Sequence, residues 1–150
     1  MPITGQTFAV VLVGASLGAV RGFSSLALYF VIGILGAPVY SDQGHGWSVI
    51  TGPSGGYIVG FMLAAAAAGY LAERRWDRRL SSSIAAMLTG NVLIYLVGVP
   101  WLAVVLGTGF EKSLELGLYP FIIGDLLKLY LAAALLPAAW KLIERARGKR

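Results

Sequence analysis

The chain has 150 residues, a length that suits one domain, with 57% apolar and only 13% charged residues. A soluble domain carries roughly 25% charged residues, so this chain cannot cover a water-facing surface and reads as a single integral membrane domain over residues 1–150. The net charge of +5 lies in two short segments beside apolar runs, a topology pattern rather than a nucleic-acid surface, and with no cysteine there is no disulfide, thiol nucleophile or cysteine-ligated metal.

Residues 7–35 are apolar except for Arg21. One helix would place Arg21 at mid-membrane, at a cost of several kcal/mol. Two short helices turning at Arg21-Gly22 avoid that cost. Gly14, Gly18 and Gly22 form a stripe at spacing four that lets helix backbones approach closely. Before this run, Met1 to Gln6 lacks the basic segment of a cleavable signal peptide.

Residues 36–55 read as a long loop, rich in glycine with Pro38 and Pro53. It is either a lid or binding element, or a flexible connector. The lone His45 has only Asp42 near it in sequence, too few ligands for a metal. Neither a metal nor a cofactor is expected.

The next span covers residues 55–72, where Gly56, Gly60, Ala64 and Ala68 form a second small-residue stripe. It predicts tight helix contact, internal or with a partner subunit. Residues 73–79 carry four arginines against two acids and read as a topology anchor. The span at 83–106 places Asn91 and Tyr95 four residues apart on one helix face, where they can meet a ligand or a neighbouring helix. Pro100 and Trp101 mark a kink or an aromatic interface. Residues 107–118 read as a short loop.

A fifth span runs over residues 119–140, with Asp125 and Lys128 on one helix face near its head. Ionisable groups at membrane depth face a bundle interior or a cavity and point to function; the plainer alternative is an interfacial ion pair that fixes helix depth. Residues 141–150 form a tail with five basic residues against one acid. The basic turn and the tail are separated by two spans and share a side, and positive residues mark the cytoplasmic side. The C-terminus is therefore expected inside a cell (inner) membrane. The long loop and the head of the last span are expected outside.

Several stretches in order carry a resemblance: Pro2-Ile-Thr-Gly-Gln-Thr, Gly36-Ala-Pro-Val-Tyr, Thr51-Gly-Pro-Ser-Gly-Gly-Tyr-Ile-Val-Gly-Phe, Glu73-Arg-Arg-Trp-Asp-Arg, Asn91 with Ile94-Tyr, Pro120-Phe-Ile-Ile-Gly-Asp-Leu-Leu-Lys and Ala132-Ala. They resemble the BioY family, the biotin-binding S component of energy-coupling-factor (ECF) vitamin transporters, from end to end. The resemblance implies an all-α polytopic bundle, about five transmembrane helices here and six in the family, with biotin in an outward pocket. The partners it implies are biotin, a membrane coupling subunit and two ATPase subunits, with a homo-oligomer as a further state of some members.

Asp125 and Lys128 occupy the family's Gly-Asp-x-x-Lys positions and become expected biotin contacts. An aspartate can accept a ureido N–H; a lysine can donate to the ureido carbonyl or pair with the carboxylate. Tyr57, Tyr95 and Trp101 are candidates for the walls around the apolar rings. Asn91, Gln43 and Asp42 are further candidates for polar contacts. Two departures stand out. Ser54 replaces the usual threonine of a Gly-Pro-Thr-Gly-Gly motif and keeps the hydroxyl, and the family's first helix, which would precede Pro2, is missing. The chain is therefore expected to start internally or to be a fragment, leaving Gly14, Gly18 and Gly22 facing lipid.

Other classes compete. Binding of another small vitamin would use the same kind of site. A membrane enzyme would need a nucleophile or metal near Asp125 and Lys128, and a structural oligomer would use the Gly56–Ala68 stripe. ATP use would fall to partners, because the chain has no Gly-x-x-x-x-Gly-Lys-[Ser/Thr] loop.

Overall fold

A helix that is apolar all round belongs in the middle of a bundle, and α4 (Gly55–Glu73) is such a helix. The computed structural model describes residues 5–147, so Pro2-Ile-Thr, anything ahead of it and the last three residues of the tail lie outside the described residues. In order come α1 (Gln6–Leu17), α2 (Ala19–Ile34), α3 (Trp47–Thr51), α4, α5 (Leu80–Leu106), α6 (Phe110–Gly117) and α7 (Ile122–Arg147), with 3-10 turns at Ser41–Gln43 and Tyr119–Phe121. The fold is an all-α polytopic membrane bundle, with no strand among the described residues.

The expected five spans divide into two kinds. Gly55–Glu73, Leu80–Leu106 and Phe110–Ala146, which covers α6 and nearly all of α7, are long and apolar enough to cross a membrane. The apolar helices α1 and α2 are shorter, roughly 18 and 24 Å at 1.5 Å per residue, against a ~30 Å hydrocarbon core.

The small-residue stripe of α4 is used internally, against α5. Gly60 lies against the Ile94 backbone, Gly56 against Trp101, and Gly90 of α5 near Ala64. Ala64, Ala65 and Ala68 are completely buried. Without a hydrophobic drive between helices in lipid, this close approach stabilises the pair through dispersion and packing.

The hairpin turns at Gly18, not at the expected Arg21-Gly22. Gly18 has φ +86° and ψ 173°, a region almost reserved for glycine. Arg21 is an ordinary residue of α2, exposed near that turn. The stripe does not face lipid either: Gly14 and Gly22 are buried, and each abuts the backbone of Ala65. α4 fills that face through Ala65.

Both expected loops contain helix. Residues 36–55 hold the 3-10 turn Ser41–Gln43 and α3, and residues 107–118 hold α6. Gly107 ends α5 in the left-handed conformation at φ +60°, a common helix stop. The buried Ser113 anchors α6 to Gly109 O at 3.2 Å and to Thr108 Oγ1 at 3.1 Å. Pro100 lies inside α5 without ending it.

The last span also continues beyond Trp140, because α7 extends into the tail as far as Arg147. Lys, Leu, Glu, Arg and Ala all favour helix, and tertiary contacts hold this end. Trp140 Nε1 donates to the buried Asp77, Arg78 stacks 3.6 Å above the Trp140 ring, and Arg78 pairs with Glu144 at 3.1 Å. The Gly18 turn lies at the same end, where Ala19 N–H donates to Glu73 at 2.9 Å. The head of α1, residues 36–54 and the head of α7 gather at the opposite end.

Candidate functional site

At that opposite end a partly open cavity of about 90 Å³ is lined by α1, α4, α5, α7 and the long loop. Tyr40, Tyr57, Phe61, Phe121, Val49, Ile58 and Ile94 supply its apolar walls; Gln6, Thr7, Ser41, Ser54, Tyr95, Asp125 and Lys128 supply its polar groups. Such a cavity, apolar with a few placed polar groups, is the usual form of a small-molecule site.

Asp125 is 5% exposed. A buried carboxylate is costly unless donors surround it, and three helices supply them. Thr7 Oγ1 of α1 donates to Oδ1 at 3.1 Å, Tyr95 of α5 donates to Oδ2, and Lys128 Nζ, one turn along α7, lies 3.5 Å from Oδ1. Donors on both oxygens fix the carboxylate's direction at the cavity wall.

Tyr57 has a seat built for it. Its ring meets Tyr95 edge-on with centroids 6.1 Å apart, and its hydroxyl donates to Gly117 O at 2.9 Å. A methyl group at Gly98 would come within 2.5 Å of that ring, so only glycine leaves room there. A second network ties the long loop to α1 and α2. Ser41 Oγ donates to Gln6 Oε1 at 2.9 Å, Gln6 Nε2 to Tyr29 at 2.9 Å, and Tyr40 to Phe30 O at 2.6 Å. Burial raises the Tyr40 hydroxyl above the ordinary tyrosine value, which keeps it a neutral donor.

Of the candidates taken from the sequence, Asp125, Lys128, Tyr57 and Tyr95 line this cavity. Asn91 is buried on the far side of the Asp125–Lys128 pair, beside a smaller cleft with Thr7 and Met87. Asp42 and Gln43 are exposed and do not line the cavity; both adopt left-handed conformations, at φ +56° and +59°. Their neighbours Tyr40 and Ser41 face it instead. Trp101 also stands outside, its Nε1 donating to Gly52 O at 3.0 Å. Gln6, Thr7, Ser41, Phe61 and Phe121 escaped sequence reasoning. The start of α1 carries no charge to draw notice, and its meeting with α7 spans 118 residues of sequence.

A polytopic helical membrane protein with a cavity at one end, built around a buried carboxylate, falls in the class of membrane-embedded small-molecule binders. Comparison with known proteins narrows this. The model of the BioY family matches residues 1–145. A probable biotin transporter BioY of Pyrococcus horikoshii is 41% identical over 128 residues, covering 85% of this chain and 74% of the relative. The biotin transporter BioY of Rhizobium etli is 35% identical over 142 residues, 90% of this chain and 75% of the relative. A crystal structure of the S component for biotin from an ECF-type ABC transporter superposes with a TM-score of 0.84 at 26% identity, covering 94% of this chain and 76% of that one. The chain belongs to the BioY family.

Proposed function

We propose that this protein binds biotin in the cavity around Asp125 and serves as the substrate-binding S subunit of an ECF-type uptake transporter. The observation that carries the reading is the buried carboxylate of Asp125, oriented by Thr7, Tyr95 and Lys128 and set among aromatic and aliphatic walls. A bicyclic ureido ligand asks for such a site: an acceptor for its N–H groups, a cation for its carbonyl or carboxylate, and apolar surface for its fused rings. Asp125 accepts from the ureido N–H, while Lys128 donates to the ureido carbonyl or pairs with the carboxylate. Tyr57 and Tyr95 form part of the wall, and Asn91 supports the pair from behind.

In this reading the cavity faces outward and the tail lies in the cytoplasm of a cell membrane. A coupling subunit and two ATPase subunits supply the energy, or the chain works as a homo-oligomer. The role is capture and passage, with no covalent chemistry on the ligand.

Calorimetry on the purified protein in detergent tests the reading. Saturable binding of biotin, weakened in Asp125→Asn, is the expected result. Failure of the wild type to bind biotin overturns it. Comparing biotin with its methyl ester in the wild type and in Lys128→Met then assigns the lysine: if Lys128 meets the carboxylate, esterification and the substitution cost the same affinity and do not add.

A further inference from the structure

At the end of the bundle away from the cavity, a second hollow of about 580 Å³ lies between the start of α5 and the last third of α7. It is lined by Arg75, Arg78, Arg79 and Lys141, by Ser81 and Ser82, and by Pro137, Trp140 and Glu144. Four cations thus face one carboxylate, and Arg78 occupies that carboxylate at 3.1 Å. The nearby Asp77 is turned away into the protein, held by Trp140 Nε1. Among the described residues, no carboxylate pairs with Arg75, Arg79 or Lys141.

A topology signal needs only a count of positive charges on one side of the membrane. It does not need them gathered on a concavity from segments more than 60 residues apart, with Arg75 held at φ +67°, where a non-glycine backbone is strained. The first turn of α5 adds to the field. It has no side-chain cap and no acidic residue, and Ser82 Oγ donates to Arg79 O at 3.1 Å, so its leading N–H groups and the Ser81 hydroxyl can serve an anion.

We propose that this cleft binds a phosphate group. Its chemistry fits tetrahedral oxyanions, which guanidinium forks and hydroxyls match. The exposed Tyr70 and Trp76 are residue types that settle at headgroup depth, so an anionic phospholipid is one source of the phosphate; a soluble phosphate offers the same chemistry. The site is independent of the biotin cavity.

The test uses the full chain in nanodiscs or mixed micelles at constant ionic strength, with phosphatidylglycerol, phosphatidylcholine or inorganic phosphate as probes. Native mass spectrometry counts retained lipid, and thermal unfolding reports stabilisation. Phosphatidylglycerol retained over phosphatidylcholine supports a lipid source. Stabilisation by inorganic phosphate, with displacement of that lipid, supports a soluble one. Arg79→Gln with Lys141→Gln lowers the affinity for either probe roughly thirtyfold, as expected for losing two near-surface cations. Arg79→Lys with Lys141→Arg retains most of it and controls for damage to the fold. Equal retention of both lipids with no effect of phosphate overturns the proposal. So does an undiminished response in the double glutamine variant.

Discussion

Asp125 accepts hydrogen bonds from residues on three helices, so its neighbours control it as much as its own position does. Asp125→Asn is expected to weaken biotin binding by about 1.5–3 kcal/mol, the range for hydrogen bonds to a charged group. Thr7→Val and Tyr95→Phe leave the carboxylate in place and remove one donor each, so each should cost about 1 kcal/mol. Calorimetry in detergent separates the cases; if Asp125→Asn binds like the wild type, the carboxylate does not touch the ligand. Gly98 supports a different prediction. A methyl there would reach 2.5 Å from the Tyr57 ring, so Gly98→Ala must push the ring into the cavity or α5 away from α4. Overpacking of this kind costs about 1–3 kcal/mol. A lowered unfolding midpoint together with weaker biotin binding is expected, and a variant that matches the wild type in both would show that the ring yields freely.

At the scale of elements, the turn between α1 and α2 depends on one residue. Gly18 adopts φ +86°, and its neighbour Ala19 is held by Glu73. Gly18→Ala should therefore destabilise by more than about 1 kcal/mol, visible as a drop in the unfolding midpoint, whereas Arg21→Ala, on an exposed helical surface, should be nearly neutral. Equal effects of the two substitutions would relocate the turn. The long loop supports another prediction. At about 90 Å³ the cavity is smaller than the roughly 300 Å³ at the low end of small-molecule sites. Residues 36–54 line its mouth through Ser41 and Tyr40, which hydrogen-bond to Gln6 and Phe30. Biotin should therefore change amide hydrogen exchange in residues 36–54 and leave residues 73–79 unaffected. Unchanged exchange in the loop would mean that ligand enters without moving it.

For the whole molecule, the two ends of the bundle differ in charge and in role. One end carries the Gly18 turn, the arginine-rich turn and the basic end of α7, joined by Arg78–Glu144 and Trp140–Asp77; the other carries the cavity. With positive residues inside, Arg145→Cys should be shielded from an impermeant thiol reagent in intact cells and Lys112→Cys should react. Both positions are exposed, and equal labelling would refute the orientation.

Composition and apolar run length were enough to establish a polytopic helical bundle, because in a bilayer the backbone must satisfy its own hydrogen bonds and helices do so locally. The pairing of Asp125 with Lys128 was also legible, since three residues along one helix bring side chains together whatever surrounds them. Whether that pair belonged to a cavity or only fixed helix depth was not legible from spacing; only the resemblance pointed to a pocket. The carboxylate's other partners, Thr7 and Tyr95, come from 118 and 30 residues away, and no local period records such a meeting. The turn was misplaced for a related reason. Gly14, Gly18 and Gly22 look alike in sequence, and only the approach of α4 decides which one bends and which two pack. Asp42 and Gln43 attracted attention by their polarity, yet the backbone path of the loop turned Tyr40 and Ser41 inward instead. Local chemistry named the elements and their charges; long-range packing chose which side chains share a space.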